Sequence, residues 1–168
     1  MVKCFFYTLI LIFFSVNCYA QKKDFRNVRW GMSRLEVMAN EEVAPESFDL
    51  AYLFYKPDVD GRTFNLIYEF IGNKLTDAEY IFIAYNRNDY LWVKSLIEIK
   101  YGRPIFSFDG GTGNYKFKWR TPRTEITMRP GRDRECLVEY SGKKFQYLKK
   151  EKDKKIQLTK VNAVKSSF

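Results

Sequence analysis

Residues 63–85 read TFNLIYEFIGNKLTDAEYIFIAY, from Thr63 to Tyr85. Phe64, Leu66, Tyr68 and Phe70 alternate with Asn65, Ile67, Glu69 and Ile71, which predicts a strand with one face in a core. Gly72-Asn73 accepts the positive φ values of a two-residue hairpin, so a second strand should run from Lys74 to Tyr85. Such a turn opposes Phe70 to Leu75, yet the next apolar residues are Ala78, Tyr80 and Phe82, three positions on rather than two. One extra residue near Thr76-Asp77, a β-bulge, restores the match and keeps both aromatic rows on one face.

That face needs a covering layer, and two helix signals supply it. Upstream, Val28-Arg29-Trp30-Gly31-Met32-Ser33 leads to Glu36-Val37, and Ser33 with Glu36 forms a capping box. The helix is expected over about Arg34–Glu42, ending before Pro45, with Trp30 packed at its start. Downstream, Asn88 or Asp89 caps a helix with apolar Trp92, Val93, Leu96 and Ile99, closed by Gly102 and Pro104. Further strands are expected at Leu50–Tyr55, Ile105–Phe108, Tyr115–Arg120, Thr124–Arg129 and Glu135–Tyr140. The order is helix and three strands, then helix and three or four strands, a repeat offset by 56 positions from Ser33 to Asp89. The expected fold is α+β: two α-β-β-β units forming one antiparallel sheet with both helices on one face.

Lys3, the apolar run Phe5–Phe14 and small Ala20 have the layout of a secretory signal peptide over residues 1–20, with cleavage after Ala20. The run is too short to span a bilayer, so the expectation is a periplasmic or secreted protein that is not transmembrane after cleavage. Lipid anchoring at Cys18 is the alternative, although Ser15-Val16-Asn17 fits it poorly. Cleavage leaves 148 residues with Cys136 as the one cysteine, so stability must come from packing. One domain is expected over 21–148, with pseudo-repeats at about 25–85 and 86–142. A Lys-rich tail over 149–168 is expected to be disordered or partly helical.

The chain carries a net +9. Residues 21–142 hold 19 Lys and Arg against 18 Asp and Glu, a net of +1; residues 143–168 hold 9 Lys against 2 acids, a net of +7. A nearly neutral globular part argues against a nucleic-acid partner.

Phe25-Arg26-Asn27-Val28-Arg29-Trp30-Gly31-Met32-Ser33 with Glu36-Val37, and Tyr101-Gly102-Arg103-Pro104, resemble motifs of a set of secreted bacterial domains. The doubled unit is similar to the β-lactamase-inhibitor-protein architecture, whose single-repeat relatives include small outer-membrane-assembly lipoproteins. The resemblance covers about residues 25–148 and implies a protein that binds other proteins and is not an enzyme. Neither half carries the whole signature, since the first helix lacks Gly-x-Pro and the second lacks Gly-Met-Ser. No binding residue is carried over.

Chemistry-bearing motifs are few. The chain has no His, which removes the commonest general base and metal ligand. Cys136 alternates inward with Val138 and Tyr140 and reads as a small hydrophobe. Asp58-Val59-Asp60-Gly61 invites a calcium reading, but with Gly61 at the sixth loop position the twelfth is Ile67, not Glu, so it reads as a turn. Gly110-Gly111-Thr112-Gly113 lacks the ending of a phosphate loop and leads into a strand. No cofactor and no metal are expected.

The functional hint lies on the sheet face turned away from the helices. It carries Ile67, Ile81 and Ile83 beside Glu69 and Glu79, and Lys116, Lys118 and Arg120. Aliphatics mixed with both charge signs suit a surface that binds an envelope or secreted protein, and partial cover by the tail accounts for the same composition. A second reading has Lys116, Lys118, Arg120 and the tail binding anionic envelope polymers or lipid headgroups, and a third, an enzyme using Asp or Glu pairs, has no supporting constellation.

Overall fold

The computed structural model describes residues 23–165, with side chains to 162. The expected signal peptide, its cleavage after Ala20 and Cys18 lie outside the described residues. Helix α1 spans Arg34–Asn40, and strands β1 (Ser47–Phe48), β2 (Tyr52–Tyr55), β3 (Asp58–Val59), β4 (Arg62–Thr63), β5 (Asn65–Ile71) and β6 (Lys74–Ile83) follow. Then come α2 (Arg87–Tyr101), β7 (Phe106–Asp109), β8 (Tyr115–Arg120), β9 (Thr124–Pro130) and β10 (Glu135–Gly142). A 3₁₀ turn at Lys143–Phe145 leads into α3 (Gln146–Lys165). The fold is α+β, with one antiparallel eight-stranded sheet in the order β1-β2-β5-β6-β10-β9-β8-β7 and a small β3-β4 ribbon. Each half is thus a helix followed by a four-stranded meander, and the last strands of the halves, β6 and β10, pair at the centre.

The central hairpin follows the sequence closely. Gly72 and Asn73 both have φ of +58°. Phe70 opposes Leu75, Glu69 opposes Asp77, and Thr76 is the extra residue of the bulge. Its hydroxyl donates to the Glu69 carbonyl at 3.2 Å, satisfying one group that the interrupted ladder frees. Beyond the bulge Tyr68 faces Ala78 and Leu66 faces Tyr80, so the aromatic rows share the core side.

The helix ends differ in detail from expectation. Ser33 and Glu36 make the capping box, but α1 stops at Asn40, and Glu41 leaves the helix to turn its carboxylate inward. The cap of α2 is Asn86, with Asp89 completing its box, because Asn86 accepts from the N–H groups of both Asn88 and Asp89. The offset between the two caps is therefore 53 positions, from Ser33 to Asn86. The buried stripe of α2 is Tyr90, Val93 and Ile97, at i, i+3 and i+7, while Ile99 is 83% exposed.

Both helices pack on the core face, where Leu66, Tyr68, Phe117, Trp119, Ile126 and Met128 are fully buried. Each such side chain contributes about 1.5–3 kcal/mol through burial. The Trp30 indole N–H donates to the Thr124 hydroxyl at 2.9 Å, 94 residues away on β9, a contact across the chain that the helix-start reading did not include. Gly31, at φ +89°, donates its N–H to the Leu75 carbonyl at 2.8 Å, and a Cβ here would stand 2.5 Å from the Phe145 ring.

Of the two alternatives expected for the tail, the helical one holds, and over a longer stretch than expected. Residues 146–165 form a continuous helix. Lys, Glu, Gln and Leu are strong helix formers and residues 143–168 contain neither Gly nor Pro, so the composition that reads as disorder equally permits a helix once a surface anchors it. The fold therefore has two helices on one face of the sheet and a third across the other. Among the described residues no helix is long and apolar enough to cross a membrane.

Candidate functional site

Strand register resolves the face opposite α1 and α2 into rows running across the sheet. One row is Tyr52, Glu69, Asp77, Ser141, Glu125 and Arg120. The next is Phe54, Ile67, Glu79, Glu139, Thr127, Lys118 and Phe106. Beyond it lie Asn65, Ile81, Leu137 and Arg129, and beyond those Ile83 opposes Glu135.

Helix α3 lies along the first row at a steep angle to the strands. The Gln146 side-chain amide donates to Glu125 at 3.0 Å, Lys149 pairs with Asp77 at 3.3 Å, and Lys152 pairs with Glu69 at 2.8 Å. The Lys152 ammonium also stands 5.8 Å from the Tyr52 ring centroid. The Gln146 hydrogen bond, with Arg120 beside it, holds the Glu125 pKa below its ordinary value. Lys149 and Lys152 are both held above theirs, Lys149 by Asp77 and Glu69 against the opposing effect of burial, and Lys152 first by its hydrogen bond to Glu69.

Lys149 of α3 also reaches over the second row, where it lines a pocket with Ile67, Glu79 and Glu139, and among the described residues no hydrogen bond or ion pair from α3 goes to the rows beyond. Ile67 and Ile81 are half-buried and Ile83 is 40% exposed, so the three form one aliphatic strip over β5 and β6, while Leu137 of β10 beside Ile81 is buried at 8% exposure. Glu79 and Glu139 oppose each other beside it. Arg129 pairs with Glu139 alone, and burial together with the Glu139 charge pushes the Glu79 pKa up. The basic residues are elsewhere. Lys116, Lys118 and Arg120 sit on β8, three strand spacings or about 14 Å from β6. Arg120 pairs with Glu125 at 2.9 Å, while Lys118 opposes Phe106 and Lys116 opposes Phe108 on the edge strand β7. The six expected site residues thus form two separate patches, one aliphatic and one basic-aromatic. Phe106 and Phe108 belong to the second patch and escaped the sequence reading.

Elsewhere the chemistry is quiet. Cys136 is fully buried and its thiol is pushed up to about 11 by that burial. In the glycine loop the N–H groups of Gly110 and Gly111 donate to the Asn114 carbonyl and the Asp109 carboxylate, so these two are committed within the loop. Gly61 donates to Asp58 at 2.8 Å within the β3-β4 turn. No group of three or more potential metal ligands occurs among the described residues. The most buried polar cluster is Arg26, Glu41, Tyr68 and Tyr80. Arg26 donates to both Glu41 oxygens at 3.1–3.2 Å and to the Tyr80 hydroxyl at 2.8 Å, and the Tyr68 hydroxyl donates to Glu41. It joins the N-terminal segment, the end of α1, β5 and β6.

No protein-family model, no curated protein and no solved structure matches this chain.

Proposed function

We propose that this chain is an exported, non-enzymatic protein-interaction module whose contact surface is the strip Ile67, Ile81 and Ile83 with Phe54 at its margin. The observation that carries the reading is that α3 makes its ion pairs with the first row of this face, while Ile83 stays 40% exposed and Ile67 and Ile81 half-exposed beside it. A half-exposed aliphatic strip rimmed by Glu79, Glu139 and Arg129 has the composition of an interface core with a polar rim. The resemblance to the β-lactamase-inhibitor-like architecture points to the same class of function. The test is capture of a partner from envelope extract by the full chain in about 0.3 M salt, where exposed charge contacts are screened. Capture should be lost with Ile81→Asp and retained with Lys116→Glu/Lys118→Glu; the reverse pattern refutes the reading.

One observation favours a second reading. The pairs Phe106 with Lys118 and Phe108 with Lys116 put two aromatics and two cations side by side on an exposed edge, and neither lysine takes part in an ion pair among the described residues. That suits an anionic envelope polymer or headgroup surface. Binding to anionic vesicles that falls steeply with salt and with Lys116→Glu/Lys118→Glu would assign this edge.

A further inference from the structure

A pocket of about 160 Å³ opens between α2 and the core face of the sheet, on the side of the molecule opposite the interaction strip. Its wall is apolar, built from Phe64 of the segment before β5, Val93 and Ile97 of α2, and Val138 and Tyr140 of β10. The volume is that of a cavity that holds one benzene-sized ring. Arg26, Lys100 and Tyr101 also line it.

The charges there do not cancel. Arg26 is neutralised by Glu41, whose side chain is 1% exposed. Lys100 has no such partner: none of the ion pairs among the described residues includes it, and its ammonium stands 5.3 Å from the Tyr101 ring centroid. Lys100 is exposed to solvent at the rim of the pocket, and its pKa is lowered, first by partial burial and then by the neighbouring Arg26 charge, so an anion seated in the pocket would meet an unpaired cation at the rim. The pocket therefore combines an apolar chamber for one small ring or branched chain with one unmatched positive charge.

We propose that this pocket binds a small amphiphilic monocarboxylate, its hydrocarbon end among Phe64, Val93 and Val138 and its carboxylate at Lys100. A dianion would exceed the single unmatched charge, and a long acyl chain would exceed the volume. The pocket shares no residue with the aliphatic strip, so it stands or falls apart from the interaction module.

The probe is benzoate, with benzyl alcohol as the neutral analogue of similar shape, titrated into the full chain and followed by methyl and amide NMR. Benzoate should shift the resonances of Val93, Ile97 and Val138 saturably, with Kd on the order of 1 mM, a modest value for so small a ligand. Lys100→Met keeps the side-chain stem and should weaken benzoate about tenfold while changing benzyl alcohol less than twofold. Val93→Phe fills the chamber and should abolish binding of both, with a thermal melt reporting that the variant is folded. Shifts confined to other surfaces, no saturation by about 50 mM, or equal weakening of both probes by Lys100→Met would each overturn the proposal.

Discussion

Glu41 is the most consequential single polar residue in the core. Replacing it with Leu removes the acceptor of the buried Tyr68 hydroxyl and the counter-charge of Arg26 in one step. Removing one partner of a buried ion pair costs about 3–5 kcal/mol. Arg26 keeps 26% of its side chain in solvent and can turn its charge outward, so the lower end applies. The orphaned Tyr68 hydroxyl accounts for about 1–3 kcal/mol of that by itself. The expected loss is about 3 kcal/mol in urea unfolding with the m-value unchanged, or roughly 9 °C in Tm for a domain of this size. Glu41→Gln retains an acceptor for Tyr68 and should lose about half as much. The double variant Arg26→Met/Glu41→Leu no longer strands a charge and should recover part of the loss. A Glu41→Leu loss under about 1 kcal/mol, or a double variant less stable than the single, would refute the assignment of this cluster as the polar anchor of α1.

Gly31→Ala places a Cβ at a positive φ and 2.5 Å from the Phe145 ring, and should cost about 2 kcal/mol; adding Phe145→Leu should recover the steric part, read by thermal melts. Glu79 has a raised folded pKa, so the folded state holds its proton more tightly than the unfolded chain. Its contribution is therefore most favourable below the ordinary value of 4.5 and is lost as pH rises through the folded pKa. Glu79→Gln should flatten that decline and stabilise the protein at neutral pH by about 0.2–1 kcal/mol, checked by denaturation across pH 4–8. Trp30→Phe strands the buried Thr124 hydroxyl and should cost about 1–3 kcal/mol. The contacts of α3 with the sheet are largely partly exposed polar pairs worth about 0.2–1 kcal/mol each, so hydrogen exchange over Gln146–Lys165 should quicken in about 0.5 M salt while the sheet stays protected.

The sheet was legible because its signals are local. Period-two alternation, Gly72-Asn73 and the three-residue step to Ala78 specify strand, turn and bulge without distant information. The capping box of Ser33 and Glu36 was legible, whereas the Asn86 cap was missed by two or three positions because Asn88 and Asp89 offer the same side-chain chemistry. What could not be read is contact across the chain: Trp30 reaching Thr124, Glu41 turning inward to Arg26, and the lysines of α3 finding Asp77 and Glu69. Those depend on which row of the sheet faces which helix. The open face was identified as a face, but its division into an aliphatic strip and a basic-aromatic edge required the register. The Lys100 pocket left no sequence signal, since Lys in the last turn of a helix is expected there in any case.

The pairing of β6 with β10 has a consequence for ancestry and for dissection. Two equivalent meanders joined antiparallel along their last strands have the arrangement of an isologous two-fold dimer, each copy presenting the same edge to the other. A gene for one unit would encode a chain whose final strand finds its partner in a second copy, and fusion of the two would give this molecule. Cut between Ile83 and Arg87, each fragment would carry a long unpaired edge with alternating apolar residues, and the pair should reassociate on mixing while either alone self-pairs or aggregates.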